Sequence, residues 1–304
     1  QELAEVRRKL LEAREQRVRP ARDEKVIASW NGQMLAAFAE AARALGRDDY
    51  RQAAECNADF LLREVRQPDG RLWHTWRDGQ AKVSGYLDDY THLADGLIEL
   101  YQTTFDPKWY VAARDLVDRM IRDFTAPAGF FDTSDDHGLL VARTASVEDN
   151  ALPSGNSMAA FVLLRLSALA AEPPYADLAR RSLRQVHPLL SRQPLGLGQW
   201  LTALDFALAD VCQVAVVGDP SASDAAELIN ACRREFRPHQ VVAAGQAGAV
   251  GTPALLAVRE QAGGRATAHV CAGSTCLPPT TDAAQLDELL RRHSGRGARS
   301  ELAQ

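Results

Sequence analysis

Cysteine is scarce in this 304-residue sequence. Five are present, Cys56, Cys212, Cys232, Cys271 and Cys276, an odd count at low density. That excludes a disulfide-stapled scaffold, and reduced, mostly buried thiols in a cytosolic compartment are expected. Positive charge is not in excess: 35 Lys and Arg stand against 40 Asp and Glu, net -5. The basic footprint of a nucleic-acid binder is therefore missing. No apolar run approaches the ~20 residues that span a bilayer, so no membrane partner is expected. The stretch from Gln1 to Arg19 is charged and lacks the apolar core of a signal peptide. There is no initiator Met, and a fragment or processed product is the expectation. Gly-x-Gly-x-x-Gly and Gly-x-Ser-x-Gly are absent, which argues against nucleotide binding and a serine hydrolase. The only metal-like spacing, His269-x-Cys271-x4-Cys276, lacks an evident fourth ligand. No metal and no cofactor are expected; Cys271 and Cys276 stay as a candidate redox pair.

What the sequence has is helical periodicity, broken by aromatic turns. A charged helix is predicted over 2–17, then helices from about Lys25 to Leu45 and from Asp48 to Arg66. Met34, Leu35, Phe38 and Ala42 have core-facing spacing in the second of these. Leu72-Trp73-His74-Thr75-Trp76 followed by Asp78-Gly79 predicts a β-hairpin. Further pairs follow: Tyr90–Thr104 with a Pro107 helix, then Ser157–Ala171 with Pro174–Leu190, and a segment from Gln199 that opens a fourth. Such a repeat of helix pairs implies a toroid or solenoid. After residue 210, β-branched runs alternate with a helix from Asp224 to Phe236, a final helix runs from Asp282 to His293, and residues after Ser294 are expected to fray; together they imply a small α/β region. The fold expected is mainly α: a partial (α/α)6-type toroid over 1–209 and a packed α/β region over 210–304.

Polar residues gather where loops enter the apolar helices. Asp88-Asp89-Tyr90 opens one helix, where the free N–H groups stabilise carboxylates. Capping alone accounts for one of the two; sugar binding or acid/base work is the functional reading. Glycoside chemistry needs two carboxylates flanking the bond, and Glu148-Asp149 at the next helix mouth would supply the partner. Asp88, Asp89, Glu148 and Asp149 are thus the candidate catalytic residues. His92, Asp95 and Glu99 continue the Asp88 stripe; a solvated polar face explains them, and a carboxylate-poised base is the alternative. Trp73 and His74 offer an aromatic platform and a pocket imidazole, or simply core. Trp30, Asn31, Tyr90 and Asn156 complete the candidate sugar-binding set. Helix packing at Gly32 and capping at Ser154 or Asn156 are their structural alternatives.

Five segments occur here in one order: Arg22-Asp23-Glu24-Lys25-Val26 with Trp30-Asn31-Gly32, Asp88-Asp89-Tyr90, Pro153-Ser154-Gly155-Asn156-Ser157, Val217-Gly218-Asp219-Pro220, and Val270-Cys271 with Cys276 and Pro278-Pro279-Thr280. In that order they resemble the C-terminal half of the thioredoxin-domain-containing family that includes the bacterial YyaL proteins and spermatogenesis-associated mammalian relatives. The resemblance implies an α/α toroid similar to six-hairpin glycosidases and to N-acylglucosamine or cellobiose 2-epimerases. It implies a carbohydrate-active domain with a small sugar ligand. The other class it leaves open is a non-catalytic binding or scaffold module. The family's thioredoxin-like domain, its Cys-x-x-Cys and its first toroid hairpins are not in this sequence. A partner that supplies that domain or the N-terminal half in another chain is therefore expected.

Overall fold

The computed structural model describes residues 2–138, 140–273 and 275–293. An exposed helix, α1 (Glu2–Glu15), leads to a two-residue strand, β1 (Val26–Ile27), and then to the helical hairpins. These are α2 (Ala28–Leu45) with α3 (Asp48–Phe60), α4 (Leu87–Thr104) with α5 (Pro107–Phe124), and α6 (Gly155–Ala170) with α7 (Pro173–Leu190). A further helix, α8 (Gly198–Leu208), follows. Local chemistry sets their limits. Gly46 ends α2 in a left-handed conformation at φ 63°. Asp106 caps α5 by accepting from the Lys108 N–H at 3.0 Å, with Pro107 in the first turn. Ser154 caps α6 through the Ser157 N–H.

The helices α2, α4, α6 and α8 lie side by side, and α3, α5 and α7 back them. This is an arc of hairpins in the manner of an α/α toroid. The α2–α4 contact is backbone on backbone. A Cβ on Gly32 would lie 2.6 Å from the backbone C of His92 and N of Leu93, and one on Gly96 2.6 Å from the Gly32 carbonyl. Between α3 and α4, β2 (Trp73–Arg77) and β3 (Gln80–Ser84) form the expected hairpin, with β1 added at the β2 edge. Phe60 packs edge-on to Trp76 and seats this sheet on α3.

The C-terminal region has strands β4 (Cys212–Val217), β5 (Gln240–Gly245), β6 (Thr267–Ala272) and β7 (Thr275–Cys276), with helices α9 (Ser223–Arg233) and α10 (Ala283–His293). Strand order is β5-β4-β6-β7: β4 and β5 are parallel through the α9 crossover, the other pairs antiparallel. This sheet meets the C-terminal ends of α4 and α6. Gln102 accepts from the Val242 N–H at 2.9 Å, Arg233 donates to the Gln102 and Thr103 carbonyls, and Gln213 donates to the Ala168 carbonyl. Carbonyls left open at helix ends thereby gain partners.

Several expectations change. The helices α2, α4 and α6 start at Ala28, Leu87 and Gly155, not at Lys25, Tyr90 and Ser157. Met34 is 50% exposed and does not join the core. His92, Asp95 and Glu99 do not form a solvated face. His92 is 2% exposed, and Arg165 of α6 covers the two acids. The reduced state expected of all five thiols does not hold: Cys271 and Cys276 face each other across β6 and β7 and are disulfide-bonded. Among the described residues, no helix is long and apolar enough to cross a membrane. The residues after Ser294, expected to fray, lie outside the described residues.

The buried cluster joins three helices. Arg165 donates to Asp95 at 2.6 Å and to Glu99, and Arg43 of α2 also binds Glu99. Burial pushes both acids up. For Glu99 the two guanidinium groups outweigh it and hold the carboxyl at about 2. Asp95 has Arg165 alone against burial and stays raised, at about 6.

Candidate site at the helix mouth

The N-termini of α2, α4, α6 and α8 converge on one rim, and carboxylates tie them together. Asp89 is fully buried. Its Oδ1 accepts from the Ser29 N–H of α2 at 2.9 Å, and its Oδ2 from the Tyr86 N–H at 2.9 Å in a capping box. His74 of β2 adds Nδ1 at 2.9 Å from Oδ2. One carboxylate thus fastens α2, α4 and the hairpin. Asp149 does the same further along. It accepts from the Ser154 N–H, the Ser157 hydroxyl and, at 2.8 Å, the Gln199 N–H of α8. The capping expected of one acid in the Asp88-Asp89 pair falls to Asp89, and that expected of Ser154 or Asn156 to Ser154.

Asp88 differs from both. Its side chain is open to solvent, yet Oδ1 lies under the first residue of α6, where a Cβ on Gly155 would stand 2.5 Å away. Desolvation, then repulsion from Asp89 and Asp132, raises its carboxyl to about 6, against the opposing pull of the Gly155 backbone and His74. Asp132 is held by the Ser146 N–H at 2.9 Å and by the Ser146 and Thr144 hydroxyls. The hydrogen bond to Asp89 raises the His74 imidazole above its usual range, although desolvation opposes it. His74 meets the Tyr86 ring edge-on at 4.9 Å, and Tyr86 meets His137 at 5.1 Å. The Nδ1 of His137 is buried with no partner among the described residues. Val83, on the strand paired with that of His74, holds φ at 63°. A β-branched residue is strained there, and such strain gathers at functional sites.

The candidates read from sequence divide accordingly. Asp88, Asp89 and His74 come together. Trp30 is 57% exposed in the first turn of α2, and Trp73 is half-buried against the core. Asn31 donates to the Ile27 carbonyl. The Tyr90 hydroxyl accepts from the Leu72 N–H at 2.9 Å, and Asn156 binds both backbone groups of Phe130. Glu148 is exposed on the loop before α6. Tyr86, Asp132 and His137 escaped the sequence reading. A signal for Tyr86 existed in its place just ahead of Asp88-Asp89.

His92 lies behind the mouth. Burial lowers its pKa to about 4, although the Pro153 carbonyl and Asp89 oppose the shift. Its folded pKa lies below the unfolded 6.5, so burying it neutral costs nothing above pH 6.5, and stability is lost as pH falls from there towards 4. That loss reaches about 3 kcal/mol at the acid end. Urea unfolding from pH 7.5 to 4.5 should show this loss, and His92→Gln should flatten it. An unchanged profile in the variant would refute the assignment.

No family model matches the chain. Among solved structures there is partial likeness to a sugar epimerase from a ruminal bacterium: TM-score 0.48 and 15% identity over 55% of this chain and 45% of that one. The cellobiose 2-epimerase of Bacillus thermoamylovorans gives TM-score 0.46 and 13% identity over the same shares. Among curated proteins, the human spermatogenesis-associated protein 20 is 29% identical over 303 residues, covering 93% of this chain and 38% of the relative. An uncharacterised Caenorhabditis elegans protein is 24% identical, with 93% and 40% covered. The chain spans well under half the length of these relatives. Over most of its own length it is a distant homologue of spermatogenesis-associated protein 20.

Proposed function

We propose that the mouth formed by α2, α4, α6 and the β2–β3 hairpin is a carbohydrate site, and that Asp88 moves a proton there in hydrolysis or 2-epimerisation. The observation that carries this reading is the contrast between the two neighbouring acids. Asp89 spends both oxygens on structure, whereas Asp88 is open to solvent with its carboxyl near 6. A general acid or base works best with a pKa near the operating pH. His74, oriented by Asp89, is a second proton carrier on the same rim. Tyr86 and Trp30 offer apolar faces for a sugar ring. Glu148, exposed on the loop before α6, stands as the opposing carboxylate in this reading, since Asp149, like Asp89, spends both oxygens on structure. Proton NMR of mono- and disaccharides incubated with the protein in D2O separates the two reactions. Hydrolysis gives new anomeric signals, and epimerisation replaces the C2 proton by deuterium. Asp88→Asn should reduce either at least 100-fold, in line with the ~10²–10⁴ contributed by a positioned acid or base. Turnover that survives in Asp88→Asn would refute the assignment.

A second reading, a binding or scaffold module, draws on one observation. On α2, Trp30, Met34 and Leu45 are exposed apolar residues, at 57%, 50% and 66%. Exposed apolar patches mark interaction surfaces. A thioredoxin-like domain, or hairpins of an N-terminal half in another chain, would be the partner. Loss of partner binding in Met34→Glu with sugar binding intact would separate the two readings.

A further inference from the structure

We propose that Cys271 and Cys276 are a reversible redox site that exchanges with an external dithiol, and that Arg259 stabilises the departing Cys271 thiolate. The two residues are direct cross-strand partners in the β6–β7 ladder, with Cα atoms 4.0 Å apart. Their surroundings are unequal. Cys276 is exposed, whereas Cys271 is 4% exposed. An incoming thiolate therefore reaches the Cys276 sulfur first. On the other side, Arg259 Nη2 donates to Cys271 Sγ at 3.2 Å. Among the described residues Arg259 has no carboxylate partner, and burial alone acts on its guanidinium and lowers its pKa. A half-buried cation without an anion is costly, and a Cys271 thiolate supplies one.

The exchange balances as follows. One thiolate of the dithiol attacks Cys276 Sγ, the S–S bond breaks, and its electron pair leaves on Cys271 Sγ beside Arg259. The second thiol of the reagent then attacks the mixed disulfide and releases Cys276. Two electrons and two protons pass from the dithiol, which becomes the disulfide. Exchange is faster when the leaving thiol has a lowered pKa, and that is the position Arg259 addresses. The other cysteines serve as internal controls. Cys56 is a free, exposed thiol, and Cys212 and Cys232 are free but buried, with burial raising their thiols to about 11 and about 12.

Iodoacetamide labelling of the native protein, read by peptide mass, tests the proposal. Before reductant, Cys56 alone should be labelled. After dithiothreitol, Cys271 and Cys276 should be labelled as well, with Cys212 and Cys232 still protected. Arg259→Met should slow the dithiothreitol step by ~3–10-fold, and Arg259→Lys should recover most of the rate. Glutathione should leave its mixed disulfide on Cys276. Circular dichroism of both variants shows whether the sheet is retained, and Arg259→Lys keeps the charge if the Met variant does not fold. Labelling of Cys271 and Cys276 before any reductant would overturn the proposal. So would reduction that needs denaturant, equal rates across the Arg259 series, or glutathione on Cys271.

Discussion

Gly32→Val is expected to cost about 3 kcal/mol of folding stability, the upper end for overpacking, because its new atoms meet backbone rather than flexible side chains. Even the Cβ would stand 2.6 Å from the backbone of His92 and Leu93. The α2–α4 crossing would have to open. With it would go the Asp89 bond to the Ser29 N–H, and so the geometry of the mouth. The urea midpoint of Gly32→Val against that of Gly46→Ala reads the effect. A Cβ on Gly46 would meet nothing within 4 Å, and only the left-handed φ of 63° opposes it. About 1 kcal/mol is expected there. Equal midpoints for the two variants would show that the close approach of α2 and α4 does not carry the fold.

Arg165→Met should destabilise the protein by ~3–5 kcal/mol at neutral pH, the cost of leaving buried carboxylates uncompensated. Among the described residues Arg165 is the sole guanidinium on Asp95, and it shares Glu99 with Arg43. In the parent the two acids have opposite signs of pH dependence. The Glu99 carboxyl, held at about 2, contributes stability above the unfolded value that is lost as pH falls towards 2. Asp95, raised to about 6, contributes stability below the unfolded value that is lost as pH rises through 6. Without Arg165 both carboxyls should rise, so the penalty of the variant should shrink between pH 7.5 and pH 5. A penalty independent of pH would show that packing around Arg165, not its charge, is what the helices need.

The parts that sequence made legible are those encoded over a few residues. The capping chemistry of Asp88-Asp89 and Ser154, the Asp106-Pro107 start, the Trp73–Trp76 hairpin and the β-branched strands after residue 210 all appear where local pattern puts them. The rest depends on partners far along the chain. His74 meets Asp89 only once the hairpin folds back on α4. The stripe of His92, Asp95 and Glu99 looks solvated until Arg165, 70 residues on from Asp95, is laid over it. Arg165 itself carried a readable signal, a single charge within the apolar run Phe161–Leu169. Met34 has core spacing but stays 50% exposed. His137 reaches the mouth on a loop without periodicity, where pattern gives no guide.

Thermal unfolding of the parent and Asp88→Asn at pH 7.5, with and without a panel of mono- and disaccharides, tests the central claim most directly. A carboxyl raised to about 6 in the fold opposes folding when ionised. Asp88→Asn should therefore unfold at a higher temperature than the parent, as expected of a residue kept for function at some cost in stability. A sugar should then stabilise the parent and leave the variant unmoved. A variant less stable than the parent, with no sugar distinguishing the two, would mean that Asp88 is a helix-capping carboxylate and that the mouth is not the site.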